Sequence, residues 1–145
     1  MTAASPATTP AASTGSDRAT SARVGRAALW VLQVLLALMF VVGSAAPKFL
    51  GEAYAVQIFT EIGVGQWFRY VVGALELAGG LGLLVPRLAG AAALGLIGVM
   101  VGATAAQLFL LDTGFWFTPV ILGVLLAVVV VARRHEIRAP GAARR

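Results

Sequence analysis

Four apolar runs, separated by short polar breaks, set what this chain can become. They cover residues 27–46, 68–85, 88–111 and 115–132, with lengths of 20, 18, 24 and 18. A membrane-spanning helix needs about 20 apolar residues. Lipid offers the backbone no hydrogen-bond partner, so each run is expected to be helical. The runs are continuous rather than alternating, unlike the strands of a membrane barrel. Composition points the same way: 59% of the 145 residues are hydrophobic, 12% are charged and the mean hydropathy is +0.90. A soluble domain has about 45–50% apolar and about 25% charged residues. The expected fold is all-α: a four-transmembrane-helix bundle over residues 27–132.

The flanks read differently. Residues 1–26 are rich in Ala, Ser and Thr without apolar periodicity and are expected to be a disordered cytoplasmic tail. Residues 133–145 form a second, basic cytoplasmic tail. A rival reading makes the first run a signal peptide, because Gly43, Ser44, Ala45 and Ala46 resemble a cleavage site. The run is longer than the usual apolar stretch of about 7–15 residues, and Pro47 follows directly, so a retained helix is preferred. With the N-terminus inside, Arg18, Arg23, Arg26, Arg87, Arg133, Arg134, Arg138, Arg144 and Arg145 fall on the inner side, and Lys48 and Arg69 on the outer. That bias places both termini in the cytoplasm and the protein, multi-pass, in the cytoplasmic membrane. The usage, rich in Ala, Gly, Val and Arg, suggests a GC-rich bacterial genome.

Several chemistries drop out. With no cysteine, the chain has no disulfide, thiolate zinc site or Cys-ligated iron–sulfur cluster. The one histidine, His135, is expected at the surface, and no metal site is expected. The net charge is +5, but the basic residues sit at the ends of apolar runs rather than in a patch with interleaved aromatics, so nucleic acid is not an expected partner. No nucleophile–base pair and no paired catalytic carboxylates are present. No catalytic residue is assigned, and whether the chain belongs to an enzyme stays open.

The breaks between runs are unequal. Pro86 and Arg87 make a tight inner turn, and Asp112, Thr113 and Gly114 a short outer one. Only residues 47–67 are long. Within them, residues 52–62 read as a short amphipathic helix between helices 1 and 2, with Glu52, Gln57 and Glu61 facing out and Gly63 and Gly65 ending it. Trp67, Phe68, Tyr70, Phe115, Trp116 and Phe117 mark the outer interface and Trp30 the inner one. Gly73, Gly79 and Gly80 on helix 2, and Gly95, Gly98 and Gly102 on helix 3, are expected to let helices approach closely. Internal packing is the preferred reading of the helix 3 stripe, with a homo-oligomer face as the alternative.

Glu76 is the polar residue that stands out. It lies on the order of 10 Å below the outer boundary, where an unpaired carboxylate is costly. Lys48, at the end of helix 1, is its expected partner. Thr104 and Gln107 on helix 3 and Thr118 on helix 4 could converge on the same outer third. Two readings stand open: a ligand-binding or proton-relay pocket of Lys48, Glu76, Thr104, Gln107 and Thr118 that would suit a quinone, and a structural Lys48–Glu76 pair that pins helices 1 and 2. Gln33 reads as a packing hydrogen bond, and Arg133, Arg134 and Arg138 as anchors to anionic lipid.

Three stretches resemble a known family. Gly43 followed by Pro47-Lys48-Phe49 looks like the end of helix 1 in the DoxX and DoxX-like families. The stretch from Phe59 through Gly63 to Trp67 resembles their segment leading to a tryptophan. Val72-Gly73-Ala74-Leu75-Glu76-Leu77-Ala78-Gly79-Gly80-Leu81-Gly82-Leu83-Leu84 is close to their V-G-x-x-E-x-x-G-G-x-x-L-L signature. The resemblance covers roughly residues 27–132 and departs from the family in two places. Val64 or Gly65 stands where many members have proline, and Gln107 about where many have a histidine, a better proton shuttle. The resemblance implies a four-helix membrane bundle with redox associations. One member is linked to an archaeal quinone-dependent thiosulfate-oxidising system, and a bacterial relative resembles an adaptor joining a superoxide dismutase to a sulfurtransferase. The expected role is a non-catalytic subunit or adaptor of a membrane-associated redox or oxidant-defence complex, partnered by lipid and redox proteins. The alternatives are a quinone-binding subunit and a small oligomeric carrier or channel.

Overall fold

A computed structural model describes residues 13–111 and 114–134 of the chain. The expected turn residues Asp112 and Thr113, the surface residue His135 and the tail arginines Arg138, Arg144 and Arg145 lie outside the described residues.

Helix α1 runs over Ser13–Leu38. The helix thus begins before residue 26, within the segment expected to be a tail, and it is exposed from Arg18 to Ala28. Once the apolar part of α1 has nucleated, each added residue meets only the propagation term, and Ala19, Ala22, Arg23 and Arg26 are strong helix formers.

The helix widens into a π-helical segment over Met39–Ala45 and resumes as α2, Ala46–Leu50. The Ala46 N–H accordingly reaches back to the Val41 carbonyl. Pro47 is the physical cause, because its ring crowds the carbonyl four residues earlier and it has no N–H to donate. Gly51, at φ 69°, ends α2. Helix α3, Ala53–Ile62, follows and matches the expected amphipathic helix within one residue. Its buried Phe59 meets Phe68 edge-on at 5.9 Å, while Gln57 and Glu61 bond to each other on the exposed side. Gly63, at φ 78°, closes it.

Three further helices complete the fold: α4, Gln66–Leu83; α5, Ala89–Phe109; and α6, Phe117–Ala132. Pro86 and Arg87 lie in the α4–α5 turn, as expected. The described residues are all-helical, and α1, α4, α5 and α6 close around one core of Leu36, Ala37, Phe40, Leu83, Ala93, Leu96, Met100, Leu126 and Val129. Small residues set the spacing. A Cβ on Gly79 would fall 2.5 Å from Leu96, one on Gly80 2.8 Å from Val41, and one on Gly82 2.7 Å from Ala92.

Helix α5 corrects the sequence reading. A Cβ on Gly95, Gly98 or Gly102 would meet nothing within 4 Å. The stripe expected to pack internally faces outward, because α5 turns Ala93, Leu96 and Met100 to the core instead.

Two described stretches are long and apolar enough to cross a membrane: Arg18–Leu50 and Ala89–Phe109. Helix α4 carries Arg69 and Glu76, and α6 is 16 residues long.

Candidate functional site

One face of α4 builds the polar centre. Arg69, Gly73, Glu76, Gly80 and Leu83 recur at helical spacing and are all buried. Gly73 is the opening through which α2 arrives. A Cβ there would sit 3.2 Å from the Lys48 Cβ and 3.3 Å from the Phe49 ring. That close approach lets Lys48 reach Glu76.

The ammonium Nζ of Lys48 lies 2.9 Å from Glu76 Oε2 and donates to Oε1 at 3.2 Å. It also donates to the Ser44 carbonyl at 3.2 Å and the Ser44 hydroxyl at 3.0 Å. An ammonium has three donors, and these acceptors engage all of them. The side chains are 16% and 4% exposed respectively. Ser44 belongs to the π-helical segment, so the widened turn supplies two of the acceptors.

Arg69 is the residue that the sequence reading missed. Placed there at the edge of a run, it is only 5% exposed. One terminal nitrogen donates to the Lys48 carbonyl, and the other donates to the Tyr70 hydroxyl at 3.0 Å. The guanidinium also lies 4.6 Å from the Tyr70 ring centroid, a cation–π distance. The Lys48 carbonyl is near the C-terminal end of a long continuous helix, where the backbone favours a cation. The available signal was the seven-residue step from Arg69 to Glu76, which puts both on one helical face.

The other candidates lie apart in character. The Thr104 hydroxyl donates to the Met100 carbonyl of its own helix at 2.8 Å. Gln107 is half-buried on α5, and Thr118 is exposed at the start of α6. A second polar contact sits at the opposite end. Buried Gln33 donates to the Leu83 carbonyl at 3.3 Å and accepts from Arg133 at 2.9 Å, joining α1, α4 and the end of α6. Gln33 makes the packing bond expected of it. Arg133, expected as a lipid anchor, is half-buried and turned to Gln33.

Among the described residues, no three His, Cys, Asp or Glu side chains gather that could hold a metal ion. Two apolar grooves open on the surface. One, of about 370 Å³, lies between α4 and α5 along Gly79, Gly82, Ala91 and Gly95. The other, of about 500 Å³, lies between α1 and α6. Neither is lined by Lys48, Arg69 or Glu76. A quinone carbonyl would need a free donor; the Lys48 ammonium has given its donors to Ser44 and Glu76, while Arg69 Nε is buried without a hydrogen bond. The arrangement can fix helices in register.

No curated protein and no solved structure matches the chain. A family model does: the one described as the DoxX-like family matches residues 31–129.

Proposed function

The chain belongs to the DoxX-like family, and from that premise we propose that it is a non-catalytic subunit or adaptor of a membrane-associated redox or oxidant-defence complex. It is multi-pass in the cytoplasmic membrane, with α1, α4, α5 and α6 crossing and both termini in the cytoplasm. The redox setting comes from what the family resemblance implies.

One observation carries the adaptor role: the charged ends of Lys48, Glu76 and Arg69 meet partners inside the protein, although Arg69 Nε is buried without a hydrogen bond. Lys48 is engaged by Glu76 and Ser44, and Arg69 by the Lys48 carbonyl and Tyr70. The side chains left to meet a partner within the membrane are apolar, such as Val42, Leu94, Val101 and Val124. Crossing by all four helices is supported by the polar contacts at the two ends. Gln33, Leu83 and Arg133 meet at one end and Lys48, Arg69 and Glu76 at the other, so Arg26, Arg87 and Arg134 gather on the Gln33 side. A basic side is the cytoplasmic one.

The test is purification of the full chain from native membranes in mild detergent, with mass spectrometry of co-purifying proteins and lipid-soluble molecules. A redox enzyme at fixed stoichiometry, retained by Glu76→Gln, is the expected result. A bound quinone that Glu76→Gln removes, with no protein partner, would overturn it in favour of a ligand pocket.

A further inference from the structure

We propose that the groove between α1 and α6 binds one anionic phospholipid, with the headgroup phosphate on Arg26 and an acyl chain along Leu29, Leu32 and Val128. The proposal rests on membrane embedding but not on the adaptor role.

The groove has a volume of about 500 Å³ and is lined by Ala22, Gly25, Arg26, Ala28, Leu29 and Leu32 of α1 and by Val128 and Ala132 of α6. Its floor is made of small residues, and a Cβ on Gly25 would meet nothing within 4 Å. Among the described residues of its lining, the only charged one is Arg26. Helical side chains lean toward the N-terminus, so the Arg26 guanidinium is carried toward the Ala22 end, away from Leu32. The groove is therefore charged at one end and apolar at the other, which is the polarity of a phospholipid.

Its length fits as well. From Arg26 to Leu32 the helix rises about 9 Å, so the apolar part of the groove takes the headgroup-proximal part of an acyl chain in a leaflet about 15 Å thick. Trp30, 39% exposed, lies one turn beyond Arg26, where an indole marks the headgroup level.

The sign of the charge selects the lipid. Arg18, Arg23, Arg26 and Arg134 are all exposed at this end. The Lys48–Glu76 ion pair is at the other end. The four arginines thus present positive charge around the groove mouth, and a phosphodiester with a net negative headgroup complements it.

The test uses the full chain in mild detergent, titrated with phosphatidylglycerol and with phosphatidylcholine of identical acyl chains. Bound lipid is counted by native mass spectrometry. One phosphatidylglycerol is expected to bind in preference to phosphatidylcholine. Arg26→Gln should weaken phosphatidylglycerol about fivefold and leave phosphatidylcholine almost unchanged. Gly25→Leu should weaken both lipids by filling the groove, without lowering the melting temperature, because its side chain enters open space. Equal binding of the two lipids, or phosphatidylglycerol binding untouched by both variants, would overturn the proposal. So would displacement of the lipid by millimolar inorganic phosphate, which would reduce the site to an anion contact. Cross-linking of Gly25→Cys to a second copy, with no lipid bound, would give the groove to a dimer.

Discussion

Exchanging the Lys48–Glu76 pair for apolar residues, one partner at a time and then together, tests what the polar centre does. The perturbations are Lys48→Met, Glu76→Leu and the double variant. Breaking a buried pair by removing one partner costs about 3–5 kcal/mol, because a charge is left without compensation. The structure makes the two losses unequal. Lys48→Met strands a carboxylate whose side chain is 4% exposed and which loses both contacts to the ammonium. It belongs near the middle of that range, at about 4 kcal/mol. Glu76→Leu leaves an ammonium that keeps the Ser44 carbonyl and hydroxyl and is 16% exposed. It can lean outward along its stem, so its loss belongs at or just below the low end, about 2–3 kcal/mol. The double variant removes both charges and should lie within about 1 kcal/mol of the parent. For a chain of this size 1 kcal/mol is roughly 3 °C in melting temperature. In detergent, followed by tryptophan fluorescence, the expected falls are thus roughly 12 °C for Lys48→Met, 6–9 °C for Glu76→Leu and under 3 °C for the double variant. A double variant that loses the sum of the singles would refute the reasoning, as would Glu76→Leu costing more than Lys48→Met. If the double variant also keeps its protein partner, the pair is structural.

Two further predictions address the helix contacts. Gly80→Ala should destabilise by up to about 2 kcal/mol, because overpacking against Val41 and the Ala37 carbonyl exceeds the gain of about 1 kcal/mol in helix propensity. Gly98→Ala gains that propensity in open space and should be neutral or stabilising; a clear loss of stability would mean that the α5 face is covered in the folded protein. Gln33→Leu removes one buried and one part-buried hydrogen bond and leaves the Leu83 carbonyl without its donor, so a loss of about 2–3 kcal/mol is expected. A melting temperature within about 1 °C of the parent, well under the shift that 1 kcal/mol produces, would show that this contact contributes nothing.

The length of the apolar runs made the long helices legible, amphipathic spacing did so for α3, and the cost of a carboxylate among apolar side chains made the Lys48–Glu76 pair legible. Both are local arguments, which one sequence supports. What stayed hidden depended on facing. Helix α5 is apolar all round, so its sequence carried the Gly95, Gly98 and Gly102 stripe but not the direction in which it points. Arg69 read as an edge residue because its acceptor, the Lys48 carbonyl, is backbone and leaves no trace in composition. The Gln33–Arg133 contact joins residues a hundred positions apart. The π-helical segment had a visible cause in Pro47, yet a proline in a run also reads as an ordinary helix end.

The two polar contacts explain how such a chain keeps one arrangement of helices. With α1, α4, α5 and α6 in lipid, as proposed above, their apolar faces would gain little from each other over acyl tails, so apolar burial alone would not select a register. Glycines permit close approach without specifying it. A slip of α4 by one turn would carry Glu76 away from Lys48 and leave its buried carboxylate unpaired. The same slip at the other end would part the Leu83 carbonyl from Gln33. Each contact penalises the same displacement, one midway along α4 and one at its C-terminal end, and both involve groups too costly to bury alone. Register is therefore set by polar groups that are few and buried, which leaves the apolar surface available to the lipid and the partner proposed above.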